Sequence, residues 1–228
     1  GVRTFTRDNN DMVLYTTDGT MLFEGGVRKI MFTPQPAYDA LTTGNPIIID
    51  GAEITAGENG NSTARGKLQA LLQMRDDIIP SYQNQLDETA RGLIELFQQE
   101  DMTGGGADPI PGLFTWAGYA SGDAIPATGT LSPGLSALIK VNDSLIKSRG
   151  GDPTLLRDGG YDVDGLGVDS PVYRGNANGE AGYSDLLDGY VAAFEEQRDF
   201  AMASLLDART TIGEFATSSV GWLEQLIS

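Results

Sequence analysis

The stretch that decides the fold is residues 66–97, GKLQALLQMRDDIIPSYQNQLDETARGLIELF, because its apolar residues recur at helical spacing. We predict a helix that is capped by Asn61, Ser62 or Thr63 and runs to about Asp101. Pro80 lies inside it and predicts a kink or short break, since proline removes one helical hydrogen bond. At about 1.5 Å per residue, a helix of this length predicts an elongated molecule.

The apolar stripe of this helix is expected to face the core, and several charged residues are expected to lie mostly off it. The stripe comprises Leu68, Leu71, Leu72, Ile78, Ile79, Tyr82, Leu86, Ala90, Leu93, Leu96 and Phe97. The polar residues expected off the stripe are Arg75, Asp76, Gln83, Asp87, Glu88 and Glu95.

The segment before this helix favours strands. Alternating or β-branched residues predict strands at 2–6, 12–17, 20–24, 27–33 and 47–49. Turn residues at 8–11 and 18–19 predict a meander of two hairpins, and residues 56–61 predict a hinge rich in glycine and asparagine. This part of the chain is therefore expected to form a module rich in β-hairpins.

The segment after the helix is less regular. Residues 103–129 show no sustained periodicity, 137–141 predict a short strand, and turn residues dominate 150–179. Helical spacing returns from residue 183 to about 206 and again over 220–227. We predict an α+β fold with a hairpin-rich module at 1–63, a helical domain formed by 64–101 with 180–228, and a loop-rich insertion at 102–179.

Composition limits the possible functions. The 228 residues include 15 basic and 32 acidic side chains, a net charge of −17, which argues against nucleic acid or an anionic membrane as partner. Histidine and cysteine are absent, which excludes disulfides, the usual zinc ligands and the common Ser-His or Cys-His nucleophile systems. No apolar run is long enough to span a bilayer. The chain opens with a glycine that is followed at once by a predicted strand, and the helical spacing of its apolar residues continues to Ile227. Both features suggest a piece of a longer protein.

One acidic loop resembles a calcium site in part. Asp162, Asp164 and Asp169 lie in a glycine-rich loop, the first two at alternating positions, and convergent oxygens of this kind suit a hard cation. The residue order and terminal glutamate of a known calcium loop are missing, so a solvated turn is the favoured interpretation. The run 176–180, with Asn176, Asn178 and Gly179, is a weaker version of the same pattern.

Other candidates for chemistry are weaker still. The carboxylate pairs Asp76–Asp77 and Glu195–Glu196 point apart on a helix, and the glycines at 104–106 lack the lysine of a phosphate-binding loop. Core packing is the favoured role for the aromatic residues Tyr82, Tyr183, Tyr190, Phe97, Phe194 and Phe200, whereas Trp222 is a candidate to face an absent partner segment. We therefore assign no catalytic, cofactor-binding or metal-binding residue and expect no cofactor.

Three segments together resemble flagellar hook-associated proteins of the FlgK type. The first is the helix quoted above, whose matching positions are Gly66, Leu68, Arg75, Asp76, Pro80, Leu86, Asp87 and Ala90. The second is residues 137–160, ALIKVNDSLIKSRGGDPTLLRDGG, whose Gly-Gly-Asp-Pro and Leu-Arg-Asp-Gly-Gly are similar to those of alphaproteobacterial members. The third is the strand-turn-strand opening at residues 1–26. This chain departs from the family pattern at residues 98–101 and at Asp143.

The resemblance implies a structural, non-enzymatic component of the bacterial flagellum that joins the hook to the filament and is required for filament assembly. It implies an extracellular location reached by flagellar type III export, and terminal polymerisation helices that are missing from this chain. Implied partners are copies of itself, the hook protein, the second junction protein and an export chaperone. With a charge of −17, we expect the isolated chain to be monomeric.

Two other classes of protein remain open from the sequence. One is another flagellar axial protein, either the second junction protein or a flagellin. The other is an extracellular, calcium-dependent binding module that uses the loop at 162–169.

Overall fold

The computed structural model describes residues 2–16, 19, 21–36, 42–54, 67–120, 122–161 and 170–227. The chain divides into two compact units, Gly1–Ser81 and Tyr82–Ser228. Both contain helices and small antiparallel sheets, so the predicted α+β class is confirmed. Within the described residues, no helix combines the length and the apolar character that a membrane crossing requires.

The first unit contains two small antiparallel sheets. Strands β1 (Val2–Thr6), β2 (Met12–Thr16) and β3 (Met21–Glu24) form the predicted meander, in which Val2 lies opposite Thr16. Strands β4 (Ile30–Met31), β5 (Ile47–Ile49) and β6 (Ala52–Ile54) form the second sheet in that order. The strand expected at 27–33 was predicted too long, since only two of its residues pair with β5.

A single long helical stretch follows. Helix α1 (Lys67–Gln73) leads into a π-helical segment at Met74–Ile78, and helix α2 (Ile79–Leu96) follows directly. The helical stretch changes from α- to π-helical geometry without a break, and the π-helical segment ends two residues before Pro80. The missing N–H of Pro80 leaves the carbonyl one turn earlier without its usual donor. The helix ends at Leu96 and not at Asp101, and its predicted caps and the hinge at 56–61 lie outside the described residues.

The core of the first unit is small. Leu72 of α1 packs with Ile49 and Ile54, and Leu22 and Ile47 cover this cluster. By contrast, three residues of the expected stripe are mostly exposed: the exposed fractions are 52% for Leu68, 53% for Leu71 and 57% for Ile79. Only part of the apolar stripe therefore contributes to the core of this unit.

The second unit surrounds most of α2 with short elements. In chain order these are β7 (Phe114–Trp116), α3 (Leu135–Leu138), β8 (Ile139–Val141), α4 (Leu155–Asp158), α5 (Asp185–Glu195), β9 (Arg198–Asp199), β10 (Arg209–Thr210) and α6 (Ile212–Ile227). Strand β7 pairs with β8, and β9 pairs with β10, both antiparallel. Short 3₁₀ turns lie at Asp143–Leu145, Lys147–Arg149, Pro171–Tyr173 and Met202–Ser204.

Two apolar clusters pack against α2 in this unit. Ala90 and Ile94 contact Leu135, and Phe114, Trp116, Ile125 and Ile139 surround them. Leu96 packs with Phe200, Ile212 and Phe215 in the other cluster. Phe97 contributes a further aromatic contact, with its ring centroid 5.0 Å from that of Tyr190 and 5.9 Å from that of Phe194.

The structure corrects four predictions in this unit. Strand β7 lies inside 103–129, where no regular element was expected, and residues 137–138 belong to α3 although a strand was expected there. The helix expected to reach residue 206 ends at Glu195, because Phe200 leaves the helical path and stacks on Phe215 with ring centroids 3.9 Å apart. Helix α6 begins at Ile212, eight residues earlier than the segment expected at 220–227.

Candidate functional site

The most unusual feature of the second unit is the number of polar residues buried on α2. Gln85, Asp87, Glu88 and Arg91 have no exposed surface at all. The expectation that Asp87 and Glu88 lie off the core face is wrong. A buried charge is costly unless it is paired and hydrogen-bonded, so each of these groups must be matched by partners.

Glu88 and Arg91 form a fully buried ion pair. Arg91 Nε donates to Glu88 Oε1 over 3.1 Å, and Arg91 Nη1 donates to Glu95 Oε2 over 2.7 Å. Both charges also reach backbone of the β9 region: Arg91 Nη2 donates to the Asp199 carbonyl over 2.7 Å, and the Ala201 N–H donates to Glu88 Oε2 over 2.6 Å. The pair therefore fixes the chain just after α5 against α2.

Gln85 and Asp87 fix two other segments to the same helix. Gln85 Nε2 donates to the Ser204 carbonyl over 3.0 Å, and Gln85 Oε1 accepts from Ser219 Oγ of α6 over 2.7 Å. The Asp87 carboxylate accepts from the Gly134 N–H over 2.7 Å and from the Ser136 N–H over 2.9 Å, at the start of α3. Four buried polar side chains of α2 thus hold three separate parts of the chain.

Gln99, just beyond α2, makes a similar clamp to the loop around Tyr161. Its Nε2 donates to the carbonyls of Pro111 and Tyr161, over 3.2 and 2.9 Å. Its Oε1 accepts from the N–H groups of Gly160 and Tyr161, over 3.0 and 3.2 Å. The side chain is 3% exposed, and all its hydrogen-bonding groups are engaged by backbone.

These buried groups have a structural role, not a chemical one. Each carboxylate and amide described above is hydrogen-bonded to backbone or to a neighbouring side chain, and the four on α2 have no solvent-exposed surface from which to meet a substrate. The spacing of Glu88, Arg91 and Glu95 at three and four residues is the one sequence signal that indicates this pairing.

Two of the weaker candidates from the sequence, Asp76 and the loop at 104–106, have structural partners as well. Asp76 accepts from Arg75 Nε over 2.5 Å, and Glu195 is the last residue of α5 with Glu196 directly after it. The loop with glycines 104–106 is held by Asp101, whose carboxylate accepts from the Thr103 and Ala107 N–H groups over 2.7 and 3.0 Å. Glu196 lines a cavity of about 400 Å³ together with Glu95 and Glu100, whereas Glu195 is not part of that lining.

The acidic loop at 162–169 lies outside the described residues. In the described part of the chain, no group of three or more acidic side chains is placed to hold a metal ion. The weaker run at 176–180 forms a local turn, in which Asn176 Nδ2 donates to Asp158 Oδ1 and Asn176 Oδ1 accepts from the Glu180 N–H, both over 2.8 Å.

We expect calcium to leave this chain's thermal stability unchanged. A cation that binds the folded state raises the melting temperature in proportion to the logarithm of its concentration above Kd. The measurement is the melting temperature in 5 mM calcium and in excess chelator, approximately matched in ionic strength. A rise of several degrees with calcium, lost on replacing Asp164 by asparagine, would support the calcium-dependent binding module instead.

Acid is expected to destabilise the second unit partly through Asp158. Arg157 lowers the pKa of the Asp158 carboxyl by donating two hydrogen bonds to it, and the Asn176 amide lowers this pKa further. The folded state then binds fewer protons than the unfolded state, so this stabilisation is present above about pH 4 and is lost as the pH falls below it.

The test is the free energy of unfolding measured between pH 2.5 and 6 for the wild type and for Asp158→Asn. We expect a shallower pH dependence in the variant, because asparagine does not titrate. Asp207→Asn, at an exposed position, serves as the control. Parallel curves for wild type and Asp158→Asn would contradict this assignment.

Comparison with known proteins identifies one family. Residues 1–113, about half of the chain, match the family model described as "Flagellar hook-associated protein FlgK helical domain". This match covers the strands of the first unit, the whole helical stretch and the residues that follow it to Leu113. No curated protein and no solved structure matches the chain significantly.

Proposed function

Since the chain belongs to the FlgK-type flagellar hook-associated proteins, a structural family of the flagellum and not an enzyme family, we propose that it joins the hook to the filament. Its place is the hook–filament junction of this extracellular appendage, and filament assembly requires it. The family match is the observation that carries the proposal, since it includes α1 and α2 with their buried polar residues.

The structural role is supported by how α2 is used. Its charged side chains Asp87, Glu88 and Arg91 form hydrogen bonds that hold surrounding segments in place. A subunit that must present a fixed surface to neighbours benefits from such internal clamps, because binding then costs less ordering of the chain. The mechanism is therefore geometric: a rigid subunit adapts one axial structure to the next.

The proposed partners are other axial components. We place copies of this chain beside one another in the junction, with the hook protein on one side and the second junction protein on the other. Export proceeds through the flagellar type III channel, with an export chaperone as a further partner. No cofactor has a role in this function.

The test is deletion of the encoding gene. We expect cells with hooks but no filaments, with flagellin released into the medium, and restoration of filaments when the gene is returned. Normal filaments in the deletion strain would overturn the junction role. Loss of filaments without flagellin in the medium would indicate a flagellin, one of the alternatives among the axial proteins.

A further inference from the structure

Two adjoining cavities of the second unit form an acidic groove beside the C-terminal end of α2. Their volumes are about 650 and 400 Å³, and both are lined by Glu95, Gln98 and Tyr173. Because they share these residues, we treat them together and call them the acidic groove.

The lining of this groove is strongly negative. The larger cavity adds Asp108 and Asp123, and the smaller one adds Glu100, Asp185 and Glu196. Arg198 is the only cation among the described residues of the lining, and its Nη1 is already paired with Glu95 Oε1 over 3.2 Å. Apolar walls complete the groove, with Ile110 and Ile125 in one cavity and Leu186 and Met102 in the other. An occupant that combines basic and aliphatic side chains fits this lining.

The first unit of the same chain carries a segment of that chemistry. Residues 27–32, VRKIMF, include Arg28 and Lys29, the only two consecutive basic residues of the sequence, and no acidic residue occurs between Gly25 and Tyr38. We call this the basic segment. Its apolar side chains face solvent, since Val27 is 87% exposed and Ile30 is 62% exposed.

The basic segment is also held in a fixed conformation. Arg28 Nη1 pairs with Asp50 Oδ2 over 2.6 Å, and the Asp50 N–H donates to the Lys29 carbonyl over 2.9 Å. Residues Ile30 and Met31 form β4, which is an edge strand of its sheet. Lys29 is therefore presented with little further ordering required on binding, which favours affinity.

The charge distribution selects a second copy of this chain as the occupant. The second unit has 22 acidic and 8 basic side chains, a net charge of −14, whereas the first unit has 10 acidic and 7 basic, a net charge of −3. Electrostatic repulsion thus opposes contacts between the second units of two copies. The repulsion between the second unit of one copy and the first unit of a neighbour is much weaker. We infer that the basic segment of one copy docks in the acidic groove of the next.

This inference rests on the proposed assembly role and names a contact within it. Because the two surfaces differ, the contact is heterologous, and copies add to one another head to tail to give a ring or a helical array. A junction built of repeated subunits needs a contact of this type.

The test uses a photo-crosslinking amino acid at Thr128, an exposed residue of the groove, in cells that assemble flagella. We expect a crosslinked dimer of this chain in which the captured peptide maps to residues 25–33. The same probe at Ser148, outside the groove, should not capture this peptide. A crosslink at Thr128 to another protein, to other residues of this chain, or to nothing would overturn the inference.

Charge reversal supplies an independent readout. Asp108→Lys in the groove and Lys29→Glu in the basic segment are each expected to reduce the crosslinked dimer about tenfold, because like charges then face each other. The double variant should recover most of the yield. Asp207→Lys and Lys147→Glu, exposed residues elsewhere, are the matched controls and should leave the yield unchanged.

The two proposals fail separately. If gene deletion removes filaments while the crosslink and its charge dependence are absent, only the contact is wrong. If filaments are normal in the deletion strain, the junction role is wrong whatever the crosslink shows.

Discussion

Replacing Arg91 by methionine is expected to lower the free energy of unfolding by about 3–5 kcal/mol. The variant leaves Glu88 charged and fully buried, and it removes the hydrogen bond to the Asp199 carbonyl. The methionine side chain is apolar and similar in length to that of arginine. The loss of stability therefore reports the missing charge more than a cavity. The measurement is chemical denaturation followed by circular dichroism at pH 7.

The control for this prediction is a surface ion pair of the same unit. Arg149 pairs with Asp143, and its side chain is 57% exposed. Exposed pairs contribute about 0–1 kcal/mol, so Arg149→Met should change stability only slightly. If both variants lost the same small amount, the buried pair would not be the clamp that the structure indicates. Stability regained in the combined change of Glu88→Leu with Arg91→Met would confirm that the unpaired carboxylate is responsible.

Replacing Gly112 by alanine is expected to cost about 3 kcal/mol or more, or to prevent folding of the second unit. A Cβ atom at this position would lie 1.6 Å from the Phe97 carbonyl oxygen and 2.8 Å from its carbon. These are backbone atoms at the end of α2, so they cannot rotate away as a side chain could. The close approach lets Gln99 reach the Pro111 and Tyr161 carbonyls on the same side.

The matched control is Gly189→Ala on α5, where no atom lies within 4 Å of the added methyl. A glycine inside a helix is destabilising by about 0.5–1 kcal/mol relative to alanine, so this variant should be more stable than the wild type. Denaturation midpoints of the two variants should therefore move in opposite directions. A Gly112→Ala protein as stable as wild type would show that the end of α2 is not packed as described.

The sequence predicts the regular elements of the first unit better than those of the second. Hydrophobic alternation and turn residues identify β1, β2, β3 and β5, because each strand pairs with a close neighbour in sequence. The change to π-helical geometry shortly before Pro80 is likewise a local property. These elements depend on short-range information, which a single sequence carries.

The polar clamps of α2 depend on contacts that the sequence does not indicate. The helical spacing predicts that Asp87 lies on the surface. Only the fold brings Gly134 and Ser136 to its carboxylate. The end of α5 at Glu195 has a similar origin, since helical spacing continues to Phe200 but stacking on Phe215 overrides it. Tertiary packing overrides local preference in these places.

The long reach of the clamps on α2 has a consequence for folding kinetics. The partners of Glu88 and Gln85 lie 113 to 134 residues further along the chain, at Ala201 and Ser219. Folding rates fall as the mean sequence separation of contacts rises, so the second unit should fold slowly for a protein with so much helix. A chain emerging from the ribosome cannot complete the hydrogen bonds of Glu88 and Gln85 until Ala201 and Ser219 have been made. Late folding of this kind keeps the polypeptide unfolded for longer, which suits the type III export that we propose.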